Sequence, residues 1–551
     1  MIDASLDPPP RISDPAVRCL LLLVLALQLW TWRGTEGYQL ADSVEFMERA
    51  RNFVLGHEML DSTAIRPFGF STLLVPFFYV TERLLGAAAG REIVWAITLL
   101  QMALGLGVTY STVRVGSLLS GRRGGLIAGV IAGASPVFLQ YSTQPVSGLA
   151  AGLFAGFAVE TAIRRDDFRG GLKCGLLFAG AFLMAYQSLL IAAVVALLVL
   201  VRGRWRGKAV FFGILLGLGV GVLLQAGTDW IVYGRPGASL VNHFVQNAGF
   251  ITASFLVRIG LPSIAEPIYR FALGMQGQDP GALDLSGPPR ALMSPWYYVN
   301  SLPLMLAWPA IVGLVLGLVR SIARPNWRAG ILASTLLLNV LVMSNKGSKD
   351  FRLWLPLLPV VGALCAYGWM WLVPNRKRAQ SLLDAAFAAA VLVLGVLALA
   401  PQGSKRFAGY WRAMDWVNER AEALRGSSEG VRVASSYNWA VYLRDRRPVD
   451  LVKLPRQLNL WSRYSPEHKQ EDLEALAQLD VFFCHLPILT SPGHEDLLAF
   501  VAERFHMVAA VHDQTIDLEG LGPILVLERR TGRPDERILY QVAAEAAPMP
   551  R

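Results

Sequence analysis

The sequence predicts a polytopic α-helical membrane protein of about 11 spans (range about 11–13) followed by a soluble C-terminal α/β domain. Three observations predict it. The 551 residues are 54% hydrophobic and only 17% charged, whereas soluble domains carry nearer a quarter. Apolar runs near the ~20 residues that a helix needs to cross the hydrocarbon recur from residue 17 to residue 400. From Pro401 onward, short apolar stretches alternate with helical patterns in a charged background, the sequence form of a strand-and-helix domain.

Taken in order, spans are expected at 17–33, 67–85, 93–113, 124–142, 145–163, 171–201, 208–226, 298–319, 329–345, 353–373 and 381–400. The first run, Cys19 to Trp30, lacks a small-residue cleavage site after it and reads as a retained span. Segment 171–201 is long for one crossing and short for two, so it is either a tilted helix or a hairpin. A single crossing there puts the loops at 34–66 and 227–297 on one side, as a shared site requires. The basic clusters at 202–208, 320–328 and Arg376–Arg378 then face the cytoplasm, but Arg122–Arg123 and Arg164–Arg165 fall on the opposite side. The glycines Gly213, Gly217, Gly219 and Gly221 read as close helix packing rather than as a phosphate cradle. In the tail, strands are expected at Val431–Ser435, Val449–Val452, Val481–His485, Met507–Val511 and Ile524–Leu527. Helices are expected at Tyr410–Leu424 and His494–Phe505, and Val542–Arg551 reads as a disordered terminus. Two units follow: a membrane module over 1–400 with outer loops 34–66, 227–297 and 345–352, and an outer domain over 401–551.

The net charge of +10 does not point to nucleic acid. The Lys and Arg residues sit between apolar runs, as in Arg202–Lys208, which suits lipid headgroups at cytoplasmic loops, and no basic stretch is interleaved with stacking aromatics. Cys19, Cys174, Cys365 and Cys484 form no disulfide framework and no CxxC site. The seven histidines lack ligand spacing, so neither a metal nor another cofactor is expected.

Three loops carry candidate chemistry. In the first, Asp42 stands just before an amphipathic helix, where it is either an N-cap (Asp-x-x-Glu with Glu45) or a base. Glu45 and Glu48 look like the polar face of that helix, and Arg66 stands where the chain enters the second span. The second loop offers Asp229, Tyr233, His243 and Asn247. The third packs Lys346, Lys349 and Arg352 around Asp350 in one short outside turn, against the positive-inside tendency. Such a cluster suits a phosphate, with headgroup anchoring as the plainer alternative.

Lys349-Asp350-Phe351-Arg352-Leu353, with Pro356 and Pro359 following, resembles the His-Lys-Glu-x-Arg-Phe-x-x-Pro-x-x-Pro signature of the dolichyl-phosphate-mannose-dependent mannosyltransferases of GPI-anchor and N-glycan assembly. Ser348 stands at the family's His, Asp350 at its Glu and Leu353 at its Phe. Asp42, Glu48 and Arg66-Pro67-x-x-Phe70 are similar to its Asp-Glu…Glu…Arg-Ser-x-x-Tyr-Pro pattern, with Ser43 in place of the second acid. Asp229…Tyr233-Gly234…Asn247 and Pro295-Trp296-Tyr297-Tyr298…Pro303 resemble two further stretches in the expected order. The tail is similar to outer-face domains of bacterial members of the wider GT-C superfamily.

The resemblance implies a GT-C-like membrane module acting as an inverting glycosyltransferase. The donor is a polyprenyl-phosphate sugar, with mannose one candidate, and no other cofactor is needed. The acceptor is a hydroxyl of a glycolipid, polysaccharide or protein. Asp42 is the implied base, and Lys349, Arg352, Arg66 and Lys346 meet the donor phosphate. Glu48, Asp229, Tyr233, His243, Asn247, Trp296, Tyr297 and Asp350 are the further substrate-binding candidates. A transporter or flippase for a lipid-linked anion is the alternative, but it calls for repeat symmetry and broken midplane helices, which the sequence does not display. Arg-over-Lys usage with Ala and Gly richness suggests a bacterial source, hence a multi-pass inner-membrane protein with a periplasmic tail.

Overall fold

The computed structural model describes residues 8–35, 41–56, 65–84, 91–202, 204–274, 294, 296–345, 350–373, 377–403, 431–436, 449–452, 454, 458–511 and 523–530. The membrane part begins with α1 (Pro15–Thr35), α2 (Ala41–Leu55), α3 (Gly69–Phe78), α4 (Arg91–Gly133), α5 (Pro136–Tyr141), α6 (Ser147–Arg164), α7 (Phe168–Met184), α8 (Ser188–Arg202) and α9 (Arg204–Tyr233). It continues with α10 (Ala238–Arg258), α11 (Pro262–Gly274), the single turns α12 (Tyr297–Asn300) and α13 (Leu302–Met305), then α14 (Trp308–Ala323), α15 (Trp327–Ser344), α16 (Leu358–Leu372) and α17 (Lys377–Gly403). Among the described residues six helical segments are long and apolar enough to cross a bilayer: Pro15–Arg33, Glu92–Gly133, Gly207–Tyr233, Trp327–Ser344, Phe351–Leu372 and Gln380–Leu399. The protein is an integral membrane protein built mostly of helices.

Two expectations change. The run at 67–85 is not a span. It folds as α3, ten residues containing Pro76, and a π-turn over Tyr79–Leu84. Together these sixteen residues are fewer than the ~20 that a crossing takes. The apolar side chains of α3 are spent on protein, with Phe70, Leu74 and Phe78 fully buried. The end of α1 and the start of α4 meet through an edge-to-face pair, Trp32 and Trp95, 6.3 Å apart, so α2 and α3 lie between two helix ends that share one side. The second change is at 171–201, which is a hairpin: α7 and α8 are separate helices. Helices α7 and α9 run side by side in the same direction, Gly171 against Val210, Gly175 against Ile214 and Ala179 against Gly221. Gly213 and Gly217 likewise meet α7 backbone, so these glycines serve close packing, while Gly219 faces nothing within 4 Å.

Helix α4 is two antiparallel arms joined at Ser120 and Gly121; the positive φ of Gly121, +66°, is one that glycine adopts without strain. At this reversal Arg122 pairs with Asp14 before α1 (2.6 Å), and Arg123 pairs with Asp384 near the start of α17. Arg328, in the first turn of α15, donates to the Leu118 carbonyl. The basic clusters therefore gather at one end of the bundle. Farther along α17, Gly395 packs on the Ala134 carbonyl, so α17 carries the chain toward the end that holds α2 and α3.

The tail forms a five-stranded sheet in the order β2-β1-β3-β5-β4: β1 (Val431–Ser435), β2 (Val449–Leu451), β3 (Val481–His485), β4 (Phe505–Val511) and β5 (Ile524–Arg529). β1 pairs in parallel with β2 and β3, whereas β3–β5 and β4–β5 are antiparallel. All five strands lie where the apolar stretches predict them. The helix expected at His494–Phe505 is α20 (Glu495–Arg504), after α18 (Pro466–Ala477) and the short α19 (Leu486–Thr490). The helix expected at Tyr410–Leu424 and the terminus Val542–Arg551 lie outside the described residues. Strand side chains alternate faces. Ala434, Phe482, Cys484, Leu525 and Leu527 pack with Trp461, Leu476, Leu497 and Val501 on one side. Val431, Val433, Val481, Phe483 and Val526 are buried in one cluster with Phe46, Met47 and Ala50 of α2 and Phe70 and Leu74 of α3.

Candidate functional site

The first constellation is built on α2 and the chain leading into α3. Helix α2 starts at Ala41, so Asp42 belongs to its first turn rather than preceding it. Glu45 lies one turn on in the same helix. Its carboxylate accepts from Arg49, one turn on, at 2.7 Å and from Arg66 at 3.2 Å. Each guanidinium also covers a ring, Arg49 over Phe68 at 5.5 Å and Arg66 over Phe46 at 5.8 Å. Glu48 is half-buried on the same helix. Farther along, Arg51 and Glu82 form a 2.7 Å pair with both side chains under a tenth exposed, fastening α2 to the π-turn.

The second loop closes on this one. Phe68 packs on Tyr233 at 5.7 Å and donates its backbone N–H to Gln225 at 3.4 Å. His243 Nδ1 meets the Ile65 carbonyl at 3.1 Å and its ring lies edge-on to Tyr186. Asp229, expected to bind substrate, is fully buried and accepts from Gln225 Nε2 at 2.8 Å, Ser239 N at 2.9 Å and Ser239 Oγ at 2.7 Å. Ser239 Oγ also bonds the Tyr186 hydroxyl. The carboxylate thus ties the end of α9 to the start of α10. Asn247 spends its amide N–H on the His243 carbonyl of the same helix.

The third and fourth motifs form a second constellation. Asp350 caps the 3-10 helix Phe351–Leu357: its Oδ1 accepts from Arg352 N at 2.8 Å and from the Tyr141 hydroxyl at 3.0 Å, and its Oδ2 pairs with Arg352 Nε at 2.8 Å. Tyr297 stacks on Phe351 at 5.5 Å, and the Tyr298 hydroxyl donates to the Asp350 carbonyl at 3.2 Å. Trp296 is exposed. Arg258, at the last position of α10, donates to Asn345 Oδ1 at 2.7 Å and to the Ser344 carbonyl. Lys346 and Lys349 lie outside the described residues.

The start of α6 stands between the two constellations. A β-carbon at Gly148 would sit 3.3 Å from the Arg352 carbonyl oxygen, while Ala150, two residues on, is buried in the cluster of Phe46 and Phe70. Among the described residues no three His, Cys, Asp or Glu side chains come together as a metal site.

No protein-family model matches the chain, and no curated protein matches it by sequence. Solved structures do match. ArnT from Cupriavidus metallidurans bound to undecaprenyl phosphate superposes with a TM-score of 0.58 at 14% identity, over 93% of this chain and 98% of ArnT. The oligosaccharyltransferase AglB from Archaeoglobus fulgidus, in complex with an inhibitory peptide and a dolichol-phosphate, gives 0.53 at 11% identity over 90% of this chain and 73% of that one. An oligosaccharyltransferase from the same organism, in a complex with Zn and sulfate, gives 0.54 at 11% identity, over 88% and 69%.

The chain has the GT-C fold. Within it the four sequence motifs are met in pairs, the first with the second and the third with the fourth. What sequence reading missed are the partners: Glu45 as the acid between Arg49 and Arg66, Tyr141 on Asp350, Tyr186 on Ser239, and Arg258 beside Asn345. Apart from the i,i+4 pair Glu45–Arg49, these contacts span up to 209 residues and leave no local pattern. Helices α10 and α11 were also missed within the GT-C module, read only as the loop 227–297. Gly237, in the left-handed conformation just before α10, is the one local signal of its start.

Proposed function

We propose that the protein is an inverting glycosyltransferase that moves a sugar from a polyprenyl-phosphate carrier to an acceptor hydroxyl. The observation that carries this reading is the end-to-end match to ArnT, whose structure holds undecaprenyl phosphate. The pairing of four ordered motifs at the start of α6 supports it. In this scheme the phosphate leaves without needing a proton, so a single carboxylate suffices. Asp42 takes the proton of the acceptor hydroxyl, and the oxygen attacks the anomeric carbon from the face opposite the phosphate. Negative charge developing on the leaving phosphate is met by Arg66 and Arg352, with Lys346 and Lys349. Glu45 and Asp350 aim the two arginines through their ion pairs. Mannose is one candidate sugar.

The gathering of basic clusters at the Arg122 end supports a cytoplasmic placement of that end, with α2, α3 and the tail on the outer face. Counting α4 as two arms and α7 and α8 as one hairpin gives about 11 crossings. For a bacterial inner membrane the outer face is the periplasm.

The test is turnover of a radiolabelled polyprenyl-phosphate sugar by purified protein in the presence of membrane extract. Release of polyprenyl phosphate is expected, with Asp42→Asn inactive at unchanged expression. Full turnover by Asp42→Asn would remove the base assignment.

A further inference from the structure

The tail contains a built site that this scheme does not use. A pocket of about 190 Å³ opens where α20 meets β4 and β5 end on the sheet, lined by Ala477, Glu503, Arg504, Phe505, Arg529 and Arg530. At about 30 Å³ per water, it has room for roughly six, or for a tetrahedral oxyanion with part of its substituent. Three arginines and one glutamate are in the lining, and a second carboxylate, Asp480, stands beside Arg529.

The Arg529 guanidinium is held before any ligand arrives. Arg529 donates Nε to the Leu479 carbonyl and Nη2 to the Ala477 carbonyl, both at 2.8 Å. Its Nη1 stands 3.8 Å from Asp480, beyond hydrogen-bond reach. Arg504 lies over the Phe500 ring at 5.5 Å, and its carbonyl accepts from Arg530 N at 3.0 Å. Arg530 Nη1 is buried and has no acceptor among the described residues. A solvated surface cluster would leave those N–H groups in water. A buried guanidinium N–H without an acceptor is costly, and the deficit disappears when an acceptor comes from outside. Planar N–H forks arranged in this way match the oxygens of phosphate.

We propose that this arginine-lined pocket of the tail binds a phosphate group, either free or as a headgroup diester. Arg529 and Arg530 supply the donors, Arg504 supplies further positive charge, and Glu503 weakens the site by opposing it. The proposal does not depend on the transferase reading, because no residue of the pocket belongs to either constellation described above.

The full chain in a phosphate-free neutral detergent is titrated calorimetrically with sodium phosphate at low salt, and in parallel with a soluble glycerophosphate diester. A saturable site that persists in Arg352→Gln is expected. Arg530→Gln and the exposed Arg504→Gln should each weaken it by about tenfold or more, and Glu503→Gln should tighten it. Arg352→Gln, in the other phosphate-facing constellation, should leave it unchanged. Melting curves confirm that each variant is folded. A diester that binds as well as phosphate identifies a lipid headgroup as the source, and binding of phosphate alone identifies a free anion. No saturable binding, wild-type affinity in both Arg530→Gln and Arg504→Gln, or loss only in Arg352→Gln overturns the proposal.

Discussion

The buried carboxylate of Asp229 separates two roles that a sequence motif cannot distinguish. Sequence analysis places it among the substrate-binding candidates, whereas in the structure its oxygens are engaged by Gln225 and twice by Ser239, at 2.7–2.9 Å, with no exposure. Asp229→Ala leaves the Ser239 backbone N–H, the Ser239 hydroxyl and the Gln225 amide without their acceptor. Bonds to a charged group contribute about 1.5–3 kcal/mol each and do not add fully, so a loss of about 3–5 kcal/mol is expected. Asp229→Asn is milder, about 1–3 kcal/mol, because one oxygen remains while the new NH₂ faces a donor. Thermal unfolding in detergent followed by intrinsic fluorescence should rank wild type above Asn above Ala. Turnover measured well below the melting point should recover partly in Asp229→Asn. If Asp229→Ala melted like wild type yet lost all turnover, the carboxylate would be acting on substrate and the bracing role would be wrong.

Other perturbations test the surrounding physics. Glu45→Gln should cost about 1–3 kcal/mol of stability, because the buried Arg49 loses its charged partner, and should lower kcat/KM for the donor by about tenfold by releasing Arg49 and Arg66; unchanged kinetics would demote Glu45. Gly368→Ala should depress the melting temperature and yield through about 1–3 kcal/mol of overpacking, because its β-carbon would lie 2.0 Å from the Gly313 carbonyl oxygen where α14 crosses α16. Gly330→Ala, with nothing within 4 Å, is its neutral control. In the tail, burial pushes the His485 imidazole from its ordinary 6.5 down to about 3, so the folded state refuses a proton that the unfolded chain accepts. Stability is therefore full above 6.5 and falls as pH drops through the window toward 3, by about 1.4 kcal/mol between pH 7.5 and pH 5.5. His485→Gln should flatten that slope; an unaltered slope would assign it to another group.

Legibility followed the range of the interactions. All five strands were readable because each is a short β-branched or aromatic run bounded by polar residues, and the sheet is covered on both faces. Helix α18 was missed although Ser465, which accepts from His468 N, and Pro466 behind it are a start signal. For the site, the motifs were legible as pieces and as an order, and the structure joins them in two pairs. Their internal acids were not legible. Glu45 and Asp350 look alike in sequence as acids near arginines, yet Glu45 holds two arginines from two segments and Asp350 caps a helix while holding one. Only the fold distinguishes those tasks.

The membrane topology shows how two errors can conceal each other. Reading 67–85 as a crossing and 171–201 as one crossing leaves the total number of crossings, and the side of every later loop, unchanged. Only the chain between the two errors is inverted, and that is where Arg122–Arg123 and Arg164–Arg165 lie. Hydropathy could not detect the first error, because Phe70, Leu74 and Phe78 are as apolar against α2 as they would be against lipid. It could not decide the second, because the break at Ala185–Gln187 is only three residues long. The charge bias did register the fault: two arginine pairs on the wrong side is the pattern that a compensating pair of parity errors produces, and the wrong-sided stretch marks where the errors begin and end. With α3 short and α7–α8 a hairpin, Arg122 and Arg123 join the basic end through Asp14 and Asp384, and the dissent disappears.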